Sequence, residues 1–173
     1  MTSPPTPYPE INTLLHALLA GVQDVLGSAC LALILHGSLA SGDFNPLTSD
    51  IDFLVVTARH IPKDKLPELA AMHTRLRTGG LPNADLLEGS YIPRQALRRF
   101  DQANNAHPAL RSDGSFDVDG HGSDWIIQRY LIRRYGIPLF GPPPASLIDP
   151  VSPSDLRGAV RGILREWWTP PLP

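Results

Sequence analysis

The 173-residue sequence has one cysteine, no long apolar run and no strong excess of charge of either sign. A lone Cys30 cannot form an internal disulfide, which fits a reducing compartment. A net charge of −2 gives no broad basic field, so nucleic acid is not a predicted partner. No segment approaches the roughly 18 apolar residues of a membrane span, and residues 1–9 lack the pattern of a signal peptide. We therefore expect a cytoplasmic protein without a membrane partner.

The most informative motif is a turn, His36-Gly37-Ser38, followed after eleven residues by Asp50-Ile51-Asp52. Apolar runs precede the turn (residues 31–35) and follow the aspartates (residues 53–56). This pattern predicts a strand, a tight turn, an irregular segment and a second strand. The order of these features is typical of a site for a nucleoside triphosphate, a hypothesis that the structure has to test.

The residue types in the motif suit phosphate and magnesium. Gly37 has no side chain, so backbone N–H groups can approach a phosphate, and Ser38 adds a hydroxyl donor. Asp50 and Asp52 lie two apart on a predicted strand, so both carboxylates point to one face. Such a pair provides the hard oxygen ligands of magnesium, and two ions can clamp an in-line displacement. Ser49, directly before the first aspartate, completes the set of candidate nucleotide-binding residues in this motif.

The segment "LHGSLASGDFNPLTSDIDFLVV" resembles the polymerase-beta-like nucleotidyltransferase superfamily. Within it, the chain is most similar to the N-terminal domain of bacterial aminoglycoside adenylyltransferases of the streptomycin/spectinomycin type. The later segment "LFGPPPASLIDPVSPSDLRGAVRGILREWW" supports this resemblance. Many members of the superfamily have ten residues between the serine and the first aspartate, and this chain has eleven.

The resemblance implies an α/β (α+β) fold, with a small mixed sheet and helices packed mainly on one face. It also implies transfer of AMP from ATP to a hydroxyl of an acceptor, with an aminoglycoside as the expected acceptor. We expect a nucleotidyltransferase domain over residues 10–150, after a disordered tail at residues 1–9. A helix at residues 151–173 would lead into a helical domain that this chain does not contain.

The resemblance further implies a third carboxylate on a strand beside the aspartate pair. Residues 84–92 read as that strand, and an acid inside a strand is costly unless it has a partner or a metal. Glu88 is the candidate for a metal ligand and general base, and Asp85 is the alternative. Asp124, at the start of a predicted helix over residues 123–135, either binds the nucleotide or only favours the helix dipole.

The other predicted elements are helices at residues 10–26 and 62–76, and a last helix that begins near Ser152 and Pro153. Residues 101–122 read as a long polar loop, whose acids either attract a cationic acceptor or only form a solvated surface. His107 and His121 have no metal-type spacing with cysteine, so no zinc site is predicted. The adjacent Trp167 and Trp168 predict a partner surface, either the missing helical domain or a second copy.

Two other functions remain open at the level of sequence. The first is a minimal, antitoxin-like nucleotidyltransferase that modifies a partner protein, which the short length favours. The second is a catalytically silent module that binds a nucleotide without turnover. A third carboxylate far from Asp50 and Asp52 would favour the silent module.

Overall fold

The computed structural model describes residues 4–168, with side chains described for residues 4–165. Within this part of the chain the α-helices are α1 (Pro9–Leu26), α2 (Gly37–Ser41), α3 (Leu66–Thr78), α4 (Arg94–Arg98), α5 (Asp124–Tyr135), α6 (Pro144–Leu147) and α7 (Pro153–Trp168). The strands are β1 (Cys30–Leu35), β2 (Ile51–Thr57), β3 (Leu87–Pro93), β4 (Ala106–Leu110), β5 (Phe116–Gly120) and β6 (Ile137–Phe140). None of the described helices combines the length and apolar character that crossing a bilayer requires.

The six strands form one mixed sheet in the order β5-β4-β3-β2-β1-β6. Only β2 and β3 pair in parallel, through a crossover that contains α3, and the other neighbours are antiparallel. The predicted mixed sheet of an α/β fold is therefore confirmed. The parallel pair places the starts of β2 and β3 side by side, which brings the second aspartate of the motif next to Glu88.

Both faces of the central strands are buried, which explains why β1 and β2 read as continuous apolar runs. Leu33 and Leu35 belong to the larger core, which α1 and α3 cover. Ala32 and Ile34 point to the other face, where a smaller core includes Ile132 of α5. Helices thus lie on both faces of the sheet, with the larger core on one of them.

Several predicted elements match the structure, with shifted boundaries. The first helix agrees within one residue, and the helix predicted from residue 62 begins at Leu66 after a short 3₁₀ turn. The strand predicted over residues 84–92 begins at Leu87, because residues 84–86 form another 3₁₀ turn. Asp85 lies in that turn and is exposed, so it is not a strand residue. Cys30 is buried.

The prediction of an irregular loop at residues 101–122 is wrong for most of its length. Strands β4 and β5 form an antiparallel hairpin that extends the sheet at β3. Its turn is closed by Arg111 N–H donating to Ser115 O at 2.9 Å, and Gly114 adopts φ +82°. The polar composition hid the strands, although Asp113-Gly114 is a recognised hairpin signal.

The sequence predicts a disordered tail at one end of the chain, residues 1–9, and a helix that begins near Ser152 at the other. Thr6 lies in the segment predicted to be a disordered tail, yet it is buried and its hydroxyl donates to Asn12 Oδ1 at 2.8 Å. At the other end, Ser152 caps α7, since Asp155 N–H donates to its Oγ at 3.1 Å. The side chains of Trp167 and Trp168 lie outside the described residues, so the predicted partner surface stays a prediction.

His73 makes acid sensitivity an expected property of this fold. The side chain is 1% exposed, and its Nε2 lies 2.7 Å from the Tyr91 hydroxyl. Burial lowers the pKa of His73 from 6.5 to about 4. Between these values the unfolded chain binds a proton that the folded chain excludes, so stability falls as the pH drops below about 6.5.

The measurement is the free energy of unfolding by urea from pH 4.5 to pH 7.5. His73→Gln should reduce the pH dependence below pH 6.5 by about 1.4 kcal/mol per pH unit, the contribution of one proton. His16→Gln, at an exposed position of α1, is the matched control and should leave the slope unchanged. An unchanged slope in His73→Gln would show that other groups cause the acid sensitivity.

Candidate functional site

The candidate site is built where β1 ends and β2 begins. The two strands are antiparallel with Leu35 opposite Phe53, so the residues just beyond this pair face each other. His36 N–H donates to Asp52 O at 3.1 Å, which fixes the turn against the aspartate strand. The motif residues, separated in sequence by the irregular segment, therefore meet in space.

Gly37 and Asp52 fit together in a way that only glycine permits. Gly37 adopts φ +62°, a left-handed conformation that residues with side chains rarely take. The position that a Cβ atom would occupy coincides with the Asp52 carboxylate, with Asp52 Cγ only 2.7 Å away. The missing side chain thus leaves the space in which this carboxylate sits, a role that adds to the predicted close approach to phosphate.

Asp52 and Glu88 are register partners on the parallel strands β2 and β3. Neighbouring strands lie about 4.8 Å apart, so the two side chains emerge side by side. Burial raises the pKa of Asp52 to about 6, with further contributions from the negative charges of Glu88 and Asp50. Burial and the charge of Asp50 also raise the pKa of Glu88. The site therefore concentrates negative charge that a cation would stabilise.

A magnesium ion suits the chemistry of this donor set. Asp50, Asp52 and Glu88 all provide hard oxygen ligands, and their mutual repulsion marks them as near neighbours. Over residues 4–168, however, no three His, Cys, Asp or Glu side chains are arranged so that they already enclose a metal ion. Asp50 precedes β2 and is exposed, so the two aspartates do not lie together within a strand. Magnesium binding remains a proposal.

The two candidate serines have different surroundings. Ser38 lies in α2, the single short helix turn that follows Gly37, and is half-buried. Ser49 closes the irregular segment, since its Oγ accepts from Asn45 N–H at 3.1 Å and its own N–H donates to Asn45 O at 2.9 Å. These hydrogen bonds give Ser49 a structural role next to Asp50. Ser38 lies directly after Gly37, at the glycine turn.

A cavity of about 450 Å³ opens beside the carboxylates. Its wall includes Asp52 and Glu88, and α5 contributes Asp124, Trp125 and Gln128. The structure therefore brings Asp124 into the same cavity as the two strand acids, as its proposed role near the nucleotide requires. Neither Asp85 nor Asp50 lines the cavity, although the charge of Asp50 contributes to the raised pKa of Asp52.

Sequence reasoning missed an aromatic and imidazole wall of this cavity. The His121 ring stacks on the Trp125 ring with centroids 3.6 Å apart and an angle of 5° between planes. His121 Nε2 also lies 3.3 Å from Ser90 Oγ, two residues beyond Glu88 on β3. Burial, with the charges of His107 and Arg129, lowers the pKa of His121 to about 3, so the ring is neutral. Trp125 lies only four positions after His121, whereas the contact of His121 with Ser90 spans 31 positions and has no local signal.

Most of the acidic residues predicted to attract a cationic acceptor do not line the cavity and accept local hydrogen bonds instead. Asp101 accepts from Ala103 N–H at 3.0 Å, and Asp113 accepts from Ser115 N–H at 2.8 Å. Asp119 does line the cavity, where it lies 3.4 Å from Arg111. Of this set, Asp119 alone, among the residues that the structure describes, extends the acidic wall formed by Asp52, Glu88 and Asp124.

Comparisons with known proteins identify a family and several proteins that this chain resembles. The family model described as "Nucleotidyltransferase domain" matches residues 26–106, which span the glycine turn, Asp50, Asp52 and Glu88. The aminoglycoside (3'') (9) adenylyltransferase of Escherichia coli is 25% identical over 178 residues, covering 94% of this chain and 65% of that protein. The spectinomycin 9-adenylyltransferase of Staphylococcus aureus is 26% identical over 159 residues, covering 84% of this chain and 59% of that protein.

Among solved structures, the fold is similar to that of a spectinomycin adenyltransferase from Enterococcus faecialis, crystallised with ATP and spectinomycin. The TM-score is 0.70 at 18% identity, over 89% of this chain and 66% of that chain. The chain thus spans about two thirds or less of the length of the relatives named above. The matched residues 26–106 are thus similar to a nucleotidyltransferase domain.

Proposed function

We propose that this protein transfers AMP from ATP to a hydroxyl group of an acceptor, and that the acceptor is an aminoglycoside antibiotic. The observation that supports the reaction most strongly is the packing of the Asp52 carboxylate into the space left by Gly37, beside Glu88. This contact places the glycine turn, which we expect to bind phosphate, in the same site as the carboxylates. The relatives named as adenylyltransferases support the choice of AMP as the transferred group.

The proposed roles follow from the position of each side chain. Gly37 and Ser38 receive the triphosphate through backbone N–H groups and a hydroxyl. Asp50, Asp52 and Glu88 hold one or two magnesium ions, which would neutralise charge on the phosphates. Asp124 contacts the nucleotide from α5, since it lines the same cavity as Asp52 and Glu88.

Glu88 acts as the general base in this proposal. Its raised pKa makes it a stronger base than an exposed glutamate, and it borders the cavity in which an acceptor fits. Glu88 accepts the proton of the acceptor hydroxyl as that oxygen attacks the α-phosphorus of ATP. The bond from the α-phosphorus to the bridging oxygen then breaks, and pyrophosphate leaves with its electron pair.

The choice of an aminoglycoside rests on two observations. The names of the relatives refer to aminoglycosides and to spectinomycin. In addition, the cavity wall carries four acids, Asp52, Glu88, Asp119 and Asp124, against one arginine, Arg111. Such a wall favours a cationic acceptor. Because Glu88 lies beside Asp52 rather than far from it, the arrangement also counts against a catalytically silent module.

The experiment is mass spectrometry of a reaction that contains the protein, ATP, magnesium and a small panel of aminoglycosides with spectinomycin. An AMP adduct on one drug would support the proposal and identify the acceptor. If ATP binds with magnesium but no drug gains AMP, the aminoglycoside is the wrong acceptor, and adducts on co-purified proteins would then indicate protein modification. Absence of ATP binding would contradict nucleotidyl transfer itself.

A double substitution, Asp50→Asn with Asp52→Asn, should weaken magnesium-dependent ATP binding by about 100-fold or more. Two charge-assisted contacts contribute roughly 1.5–3 kcal/mol each, and every 1.4 kcal/mol is about tenfold. Isothermal titration calorimetry with and without magnesium measures the effect. The melting temperature should stay the same or rise, because the substitutions remove repulsion with Glu88.

Asp85→Asn is the matched control for this experiment. Asp85 is an exposed acid in the 3₁₀ turn before β3, and it does not line the cavity. Its substitution should leave magnesium-dependent binding unchanged. Equal binding by the double variant and the Asp85 control would contradict a metal role for Asp50 and Asp52.

A further inference from the structure

A second cavity, also of about 450 Å³, lies on another side of α5 and shares no lining residue with the first. It is enclosed by the end of α4, by α5 and by the segment that leads into α7. Charged groups dominate its wall, which includes Arg98, Arg99, Arg129, Asp149 and Asp155. The function proposed above does not use this cavity.

Arg129 is the most unusual residue of the second cavity, because it is an arginine with only 2% of its surface exposed. Its guanidinium donates to Ala96 O at 2.9 Å, Leu97 O at 3.0 Å and Trp125 O at 3.2 Å. Within the described part of the chain, no carboxylate forms an ion pair with it. Burial lowers its pKa only to about 10, so the group stays positively charged at neutral pH.

The two aspartates of the second cavity do not neutralise the charge of Arg129, because each of them has other partners. Asp149 accepts from Arg98 and from Arg99, each at 2.7 Å, and is fully engaged by these two arginines. Asp155 accepts from Ser152 Oγ at 2.6 Å and from Ser152 N–H at 3.1 Å, as part of the α7 cap. Three arginines against two aspartates leave one positive charge in the wall.

We propose that the second cavity is a binding site for a small oxyanion of the phosphate type. Guanidinium groups recognise phosphate oxygens through paired, charge-assisted hydrogen bonds, and three of them line this space. A bound oxyanion would supply the negative charge that Arg129 lacks, and a buried unpaired charge is costly without one. The cavity is large enough for inorganic phosphate or for a phosphate group attached to a small organic body.

Asp149 limits the affinity of this site for an oxyanion, because it forms ion pairs with two of the three arginines. An oxyanion that contacts Arg98 and Arg99 has to share them with the Asp149 carboxylate. Arg98 and Arg99 are well exposed, so they can reorient towards a ligand without disturbing the core. Arg129 cannot reorient in the same way, because its hydrogen bonds to α4 and α5 fix it in place.

The test uses inorganic phosphate as the probe, with the whole chain and ionic strength held constant by sodium chloride. NMR spectra of ¹⁵N-labelled protein follow the arginine Nε–H signals and the backbone amides of residues 98–100, 149, 151, 152, 154 and 155, since the two prolines between them have no N–H. We expect saturable shifts at these positions. Binding at the glycine turn would instead move the amides of Gly37 and Ser38, so the two sites are distinguishable and the result does not depend on catalysis.

Three variants give the site its sharpest test. Arg98→Gln with Arg99→Gln should weaken phosphate binding at least about tenfold, since two charge-assisted contacts are lost. Arg94→Gln, an exposed arginine of the same helix outside the cavity, is the matched control and should bind like the unmodified protein. Asp149→Asn should bind phosphate about tenfold more tightly, because it frees both arginines and removes a competing charge.

The decisive result is a change of phosphate affinity in opposite directions in Asp149→Asn and in the double arginine variant. Tighter binding in Asp149→Asn and weaker binding in the double arginine variant would establish the site. Shifts that do not saturate, or equal affinity in the double arginine variant and in Arg94→Gln, would overturn the proposal. Backbone amide spectra of each variant report whether the fold is kept, and Asp149→Asn retains the backbone bond from residue 149 N–H to Arg98 O.

Discussion

Gly37→Ala is expected to abolish nucleotidyl transfer while leaving a folded protein. The new Cβ would take the space of the Asp52 carboxylate, with Asp52 Cγ at only 2.7 Å, so this carboxylate has to move. A displacement of about 1 Å in a reacting site costs about 100-fold in rate, and loss of a contact to the transition state costs about 10²–10³-fold. Activity should therefore fall by at least about 100-fold, measured as the rate of pyrophosphate release.

Gly42→Ala separates this effect from backbone strain. Gly42 also adopts a left-handed conformation, with φ +89°, but a Cβ at this position meets no atom within 4 Å. Both variants should lose about 1–2 kcal/mol of stability, the cost of a side chain in the left-handed region. Only Gly37→Ala should lose activity, and similar activity in the two variants would contradict the role given to the Asp52 contact.

Glu88→Gln is expected to keep ATP binding and to lose turnover. Glutamine has the shape of glutamate but cannot take the proton of the acceptor hydroxyl, and positioned general bases contribute about 10²–10⁴-fold to rate. We expect kcat to fall within this range. Calorimetry of ATP with magnesium should show a much smaller change, since Asp50 and Asp52 remain.

Asp85→Asn is the discriminating comparison for Glu88→Gln. Asp85 is the acid that the sequence offers as the alternative third carboxylate, and the structure places it in an exposed 3₁₀ turn outside the cavity. Turnover should be unaffected by this substitution. If Asp85→Asn stops turnover and Glu88→Gln does not, the roles of the two acids have to be exchanged.

The local part of the site was predictable from sequence because its signals are local. The glycine turn, the aspartates and the apolar runs around them occupy one continuous segment, and each has a short-range physical meaning. The helix over residues 10–26 and the start of the last helix at Pro153 were predictable for the same reason, since periodicity and capping residues mark them.

The hairpin of β4 and β5 shows where sequence reasoning failed. The polar segment around Asp113 and Asp119 has little apolar alternation, and β5 is largely exposed. The hairpin is stabilised by the pairing of β4 with β3, a non-local contact that composition does not reveal. Only this hairpin brings His121 to Ser90, a contact between residues 31 positions apart.

The sequence by itself was enough to predict the chemical type of the site. Residue types and their spacing indicate a turn that binds phosphate, an aspartate pair and a candidate third acid. The tertiary structure favours Glu88 over Asp85 as the third carboxylate, because the parallel register of β2 and β3 places Glu88 beside Asp52. It also decided that Asp52 fills the space at Gly37, that His121 and Trp125 line the cavity, and that Arg129 is buried without an ion pair. These features depend on contacts between distant segments, and such contacts arise from packing the whole sheet rather than from any local pattern.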